Sequence, residues 1–383
     1  MTYNLQVHAS RRLLASGLTA AVVLLPATDG RACGWDWETY HAEAKSLPCV
    51  HDALLGYWPK HTDAYHETRI AAADHGLRWV PGWTEGLDAR GLSLLHLGRH
   101  EEAEAVMRRR HAIAPDAYPS HANLGTLYTF TGKFDAALEH IDVAMAREPN
   151  AHFGREKYHR ALVVFLQRVA ADPGIATREN FLGLQLTQEQ RLHGSSAVFT
   201  SLGLEEQAFD ALVSMLTVYG ADGLAEVYLT LGELLAARGH LRLAYTAYRR
   251  ARELGHVRGD ELRRWTKQLE AAIKSQHPGN TTREPSPDFE RMGLRGSYIG
   301  IGSAYAKNLR TAKVFQKQWA QWEHEQLSKG LSAWTQAGLD AIYAHMQEKR
   351  PRCDMPRIID DARAPLAEDR VGAKPGEHSE DAP

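Results

Sequence analysis

Apolar and small residues in the first half of this chain keep a helical spacing, and the whole pattern returns after 34 positions. Gly91 and Gly125, Gly98 and Gly132, Ala103 and Ala137, and Pro115 and Pro149 recur at that interval. Residue classes recur with them: Leu94 with Tyr128, His100 with Phe134, Met107 with Ile141. A period of this length marks stacked supersecondary units, because one helical hairpin cannot bury its apolar face alone. The units are Thr84–Ala117 and Tyr118–Ala151, each predicted as helix, tight turn, helix and proline stop. In the second unit the first helix is predicted over Tyr118–Thr131, with Gly132 just past its end. Phe134, Ala137, Ile141 and Ala144 stripe the second helix, and Pro149 closes it. Gly125 and Ala137 let the two helices approach closely, with Tyr128 and Phe134 filling the space beside them.

These positions resemble the tetratricopeptide repeat. Leu124, Gly125, Tyr128, Phe134, Ala137, Ala144 and Pro149 stand at that family's bulky, small and terminating places. The first unit departs from the pattern at Arg90, His100 and Arg110. A third match is Leu231, Gly232, Leu235, Gly239, Ala244, Tyr248 and Ala251. Between them Gly203 and Ala208 keep the same glycine-to-alanine spacing, which reads as a decayed unit. The resemblance spans 84–258: units 84–117 and 118–151, an irregular 152–222, and 225–258. It implies an all-α, right-handed solenoid of helix-turn-helix repeats.

The resemblance also implies that the first helix of each unit lines a concave groove. It points Asp88, Leu92, Leu95 and His96 into that groove from the first unit, and Ala122, Thr126, Thr129 and Phe130 from the second. The irregular unit, kept in register, adds Glu156 and Arg160. Apolar surface with scattered charge suits an extended peptide or a partner helix. Only Arg160 matches the basic residues of the family's carboxylate-binding members, so a receptor for chaperone tails is not expected.

Outside the repeats the pattern changes. Residues 33–83 are rich in Trp and Tyr and carry helical segments around Trp37–Lys45, His51–Tyr57 and His61–His75. They are read as a helical cap over the first repeat, since solenoid ends need a covering unit. Arg155–Asp172 and Asp260–His277 are predicted helices, the first broken by Pro173-Gly174. Residues 259–349 form a C-terminal helical extension interrupted by a linker at 278–295. There Ile301, Tyr305, Leu309, Ala312, Phe315, Trp319 and Trp322 give one apolar face of a long helix, followed by a helix over Ser332–Glu348. The stripe is expected to close the solenoid's C-terminal end or to form a helical hairpin. From 350 to 383 nothing is periodic, and that tail is expected to be disordered.

A net charge of −2 gives no reason to expect a nucleic-acid partner or an anionic membrane surface. No apolar run is long enough for a membrane span. Arg11 and Arg12 precede the apolar stretch Leu13–Pro26 and then Gly30-Arg31-Ala32, the form of a secretory signal over residues 1–32. The export route, general or twin-arginine, stays open. A lipid-anchored start at Cys33 is the competing reading, set back by Gly30 and Arg31. Export makes a disulfide the natural reading for Cys33 and Cys49, which flank fifteen residues. In the chain-entropy model such a loop contributes about 3 kcal/mol. Cys353 is left over.

Reaction machinery is thin. The chain has no phosphate-binding loop, no HExxH and no Gly-x-Ser-x-Gly. Gly300-Ile301-Gly302 lacks the preceding strand a dinucleotide loop requires. Twenty histidines are many, but pairs such as His96 and His100 show no further converging ligands, so no metal and no cofactor are expected. The expectation is a non-catalytic scaffold of the bacterial cell envelope that is periplasmic or secreted and binds a protein or peptide. The alternatives are an enzyme with its site in the insertion or the C-terminal helices, and a homo-oligomer assembled through the long C-terminal helix.

Overall fold

The computed structural model describes residues 34, 36, 47–149, 154–204, 207–275, 300–332, 338, 340–342, 344 and 345. Among these residues there are helices and turns and no strand. In chain order the helices are α1 (Val50–Leu55), α2 (Asp63–Trp79), α3 (Thr84–His96), α4 (His100–Ile113), α5 (Tyr118–Phe130), α6 (Phe134–Arg147) and α7 (Glu156–Ala171). They continue as α8 (Gln188–His193), α9 (Ser196–Ser201), α10 (Gln207–Thr217), α11 (Ala225–Ala237), α12 (Leu241–Glu253), α13 (Gly259–Ser275) and α14 (Ile301–Ser328). The signal segment, Cys33, the 278–295 linker, Cys353 and the tail lie outside the described residues.

Consecutive helices pack in pairs, α3 on α4, α5 on α6 and α11 on α12, as an α-solenoid of tetratricopeptide type requires. One device makes all three turns. Gly98, Gly132 and Gly239 adopt φ of 72°, 70° and 78°, a left-handed backbone that costs glycine nothing. The next N–H then reaches back over the helix end: Arg99 to Leu94 O at 2.9 Å, Lys133 to Tyr128 O at 2.9 Å, His240 to Leu235 O at 2.8 Å. Leu204 N to Phe199 O at 3.0 Å repeats this at Gly203. The turn thus recurs where a decayed unit was expected, although the helix before it, α9, has only 6 residues.

Within each hairpin, small residues set the helix separation. Ala103, Ala137 and Ala244 are fully buried. A Cβ on Gly125 would stand 2.8 Å from Ile141 Cγ1, and one on Gly232 would stand 2.6 Å from Tyr248 Cε1. Such gaps cannot admit a branched side chain without prising the helices apart. Gly125→Val is expected to lower unfolding free energy by about 2–3 kcal/mol, read from urea denaturation at unchanged slope.

The apolar core has two main parts. One joins α2 to α3–α6: Ile70, Leu77, Leu87, Leu94, Met107, Leu124, Leu127 and Ile141 meet there. The larger joins α7–α13 and includes Leu54 and Leu55 of α1 and Ile301, Ala312 and Phe315 of α14. The N-terminal region is therefore divided. α2 stacks on α3 as another layer of the solenoid, while α1 packs against α10 and α12.

The apolar stripe of α14 is inward-facing, with Ile301, Tyr305, Ala312, Phe315 and Trp319 buried. The helix runs back along the N-terminal segment. Tyr57 Oη donates to Asn308 O at 3.1 Å, and Gln316 Nε2 donates to Gly56 O at 2.6 Å. Tyr305 Oη donates to Glu253 of α12 at 2.6 Å, and Trp319 joins Trp58 and Tyr65 in a small cluster. Of the helix expected over Ser332–Glu348, the described residues 338, 340–342, 344 and 345 are helical, and Ser332 is not.

Candidate functional site

The face expected to line the groove is largely covered. Asp88, Leu92, Ala122, Thr126, Thr129 and Glu156 are buried, whereas His96, Phe130 and Arg160 are half-buried. Each has a local reason. Leu92 lies under Gly34: a Cβ there would come within 2.2 Å of Leu92 Cδ2. The Asp36 carboxylate accepts from Arg69 Nη2 at 2.7 Å, and Arg69 Nη1 reaches Ser93 Oγ at 3.5 Å. Gly34 and Asp36 thus sit across α3, on the face that carries Asp88 and Leu92. His96 stacks on His66, with ring centroids 4.5 Å apart.

Asp88 anchors a polar network between the first two hairpins. Arg110 Nε donates to Asp88 Oδ1 and Oδ2 at 3.0 and 3.1 Å, and Asn123 Nδ2 donates to Oδ1 at 2.9 Å. Arg110 Nη1 continues to Ser120. Burial pushes the Asp88 carboxyl up to about 7, against the lowering effect of Arg110 and Asn123. Arg110 stands where the repeat pattern places a small residue, as the second unit does with buried Ala144. The departure visible in the sequence is therefore one half of an ion pair whose other half is Asp88.

The remaining expected residues divide by environment. Ala122 packs with Tyr118 and Ala144. Thr129 Oγ1 donates to Gly125 O at 2.8 Å, and Phe130 packs against the first core. Glu156 accepts from Tyr118 Oη at 2.7 Å and pairs with His159 Nδ1 at 3.1 Å, so it closes the seam between α5 and α7. Arg160 pairs with Asp142 of α6. Cys49 is disulfide-bonded, and its expected partner Cys33 lies outside the described residues.

Sequence spacing gave no sign of a second feature, a trio of histidines from three helices. His111 of α4, His121 of α5 and His140 of α6 have ring centroids 4.9, 5.1 and 5.8 Å apart. His121 Nε2 lies 2.8 Å from Pro115 O and must donate to it. With both rings neutral, His121 Nδ1 then accepts from His140 Nδ1 at 3.0 Å. Among the described residues no three His, Cys, Asp or Glu side chains are arranged to hold a metal ion.

His140 and His111 resist protonation. Burial, then His121, His111 and Arg108, bring His140 down to about 4, and burial and His121 lower His111. A histidine depressed in the fold costs stability as pH falls from its unfolded value near 6.5 toward its folded one. Below that window the penalty is constant. His140→Gln removes the titration, so relative to the wild type it should gain about 1–2 kcal/mol at pH 4 compared with pH 7. This figure is already discounted for the half-exposed ring. Denaturation at both pH values checks it.

The geometry defines a stacked helical-hairpin protein. The family model of the tetratricopeptide repeat matches residues 85–109, which are α3 and most of α4. No curated protein matches the chain. Residues 85–109 thus carry the signature of a tetratricopeptide repeat, a repeat that in general serves as a scaffold for protein–protein interaction. No helix among the described residues is long and apolar enough to cross a membrane.

Proposed function

We propose that this protein is a non-catalytic adaptor of the bacterial cell envelope that holds an extended peptide or a partner helix on the α3–α5 face. The observation that carries this reading is the seat of Gly34 and Asp36 on Leu92 and Arg69. Both contacts fall on the face where a solenoid of this kind takes a ligand. Export is supported by the form of residues 1–32 and by the disulfide at Cys49, which an oxidising compartment favours.

Half-buried residues are the ones to alter, because replacing Asp88 or Thr126 would disrupt the interior. The test is affinity capture of the tagged full chain from its native envelope extract, beside a His96→Ala, Phe130→Ala variant. One protein retained by the wild type and reduced at least about tenfold in the variant, at equal helix content, is the expected result. Equal retention by both would remove the α3–α5 face as the binding surface.

A further inference from the structure

Two tryptophans four positions apart meet opposite fates at the turn between α2 and α3. Trp83 is folded inward. A Cβ on Gly76 would stand 2.6 Å from Trp83 Cζ3, and one on Gly86 would stand 2.3 Å from Trp83 Cε3. The ring therefore fills the space these glycines leave and packs on the first core. Trp79 is left outside, 79% exposed, beside Val80 at 58% and the exposed Pro81 and Gly82. Arg109 Nη2 of α4 donates to Pro81 O, which sets that helix against the turn. Ile113, one helical turn beyond Arg109, is 44% exposed. Single exposed apolar residues are ordinary, but Trp79, Val80 and Ile113 share one end of the solenoid.

The rim of this tip is cationic. Arg78 and Arg109 are both exposed. Of the carboxylates close by in sequence, Asp74 is paired with Arg90 at 2.7 Å, and Glu85 accepts from Thr84 Oγ1 at 3.1 Å. The backbone of the turn is also served from within. Val80 N donates to Gly76 O at 2.9 Å, Trp83 N donates to Val80 O at 3.0 Å, and Pro81 has no N–H to satisfy. A turn with these groups engaged can enter an apolar layer at small cost.

We infer that the α2–α3 turn is a membrane-contact tip, which seats Trp79, Val80 and Ile113 in the interfacial layer of a bilayer with Arg78 and Arg109 on its lipid phosphates. Tryptophan favours that layer, where its ring is in apolar surroundings and its indole N–H stays wet. Trp83, wedged between Gly76 and Gly86, holds the tip rigid, so no ordering is needed when it inserts. The whole-chain charge of −2 does not decide the matter, because salt confines each cation's reach to about 10 Å. The tip goes beyond the adaptor reading and uses none of its groove residues. It would hold the solenoid at a membrane surface while the α3–α5 face takes a partner.

The test is co-sedimentation of the full chain with vesicles of phosphatidylethanolamine and phosphatidylglycerol, and with vesicles of phosphatidylcholine alone. A Trp79→Ala, Val80→Ala variant should bind both at least about tenfold more weakly, at unchanged helix content because both side chains are exposed. Arg78→Gln should bind the phosphatidylglycerol vesicles about fivefold more weakly and leave phosphatidylcholine binding as it was. A second readout is specific to the tip. Lipids brominated on their acyl chains quench a tryptophan they touch, so the wild type should lose more emission on them than Trp79→Phe does.

Equal vesicle binding by the wild type and the Trp79→Ala, Val80→Ala variant, or equal quenching of the wild type and Trp79→Phe, would overturn the inference. So would loss of a captured protein, with vesicle binding unchanged, in the Trp79→Ala, Val80→Ala variant, since the tip would then be a protein contact. The His96→Ala, Phe130→Ala variant should keep full vesicle binding, so failure of the groove and failure of the tip are read separately.

Discussion

Arg110→Met should lower the unfolding free energy by about 3–5 kcal/mol, among the largest effects of any single substitution in the first two hairpins. Arg110 and Asp88 are both buried, and Arg110 Nε bridges the two carboxylate oxygens at 3.0 and 3.1 Å. Methionine fills similar volume but leaves the carboxylate with Asn123 as its neutral donor and with Asp36 as a like charge nearby. Ser120 also loses its guanidinium partner. The charge, and not the lost packing, sets the cost, so the deficit should depend on pH. A carboxyl raised above its unfolded value of 3.8 favours the fold below that value and loses the contribution as pH rises through about 7. Without Arg110 the rise is steeper, and the deficit against wild type should be larger at pH 8 than at pH 5. Adding Asp88→Asn, which needs no counter-charge, should recover about half of the loss at pH 8. Urea denaturation of the three proteins at both pH values decides the matter. A deficit independent of pH, or no rescue, would point to packing instead.

The second large effect falls on the strap formed by α14. Glu323 is 0% exposed and receives three donors from the start of α2: His61 Nδ1 at 2.5 Å, and Thr62 N and Thr62 Oγ1 each at 2.7 Å. Thr62 is also the N-cap of α2, its oxygen accepting from Tyr65 N at 3.3 Å. One carboxylate thus completes a helix start and anchors a helix some 260 residues away in sequence. Glu323→Ala orphans all three donors, with an expected cost of about 3 kcal/mol or more. The loss should be local. Hydrogen exchange in the second half of α14 should rise towards that of a detached helix, while α3–α6 keep their protection. Glu323→Gln retains one acceptor oxygen and should lie between the two. Uniform loss of protection through α3–α6 would show instead that the strap holds the whole solenoid together.

The helical hairpins were legible because their signals are local. The glycines at 98, 132 and 239 end helices through their own backbone, and the alanines at 103, 137 and 244 are buried in the helix that follows. A residue's place in such a unit follows from a count along the chain. The groove assignments used the same count, but burial does not follow from a count. Thr126 and Asp88 hold groove positions in that count and are interior, Asp88 being enclosed with Arg110 and Asn123. Arg110 looked like decay of the pattern because its partner, Asp88, is 22 positions away and on another helix.

What the sequence alone determined is the class of fold, the helix order and the hairpin turns, since backbone preference and a repeating apolar period act within about one unit's length. The tertiary structure alone decided the rest. It placed α1 in the second core, α14 along residues 56–62, the three histidines in one seam, Gly34 on α3 and Asp36 on Arg69 of α2. Each of these depends on which distant surfaces match in shape and charge once the repeats have stacked. No periodicity along a chain records that match, because the two halves of such a contact share no common register.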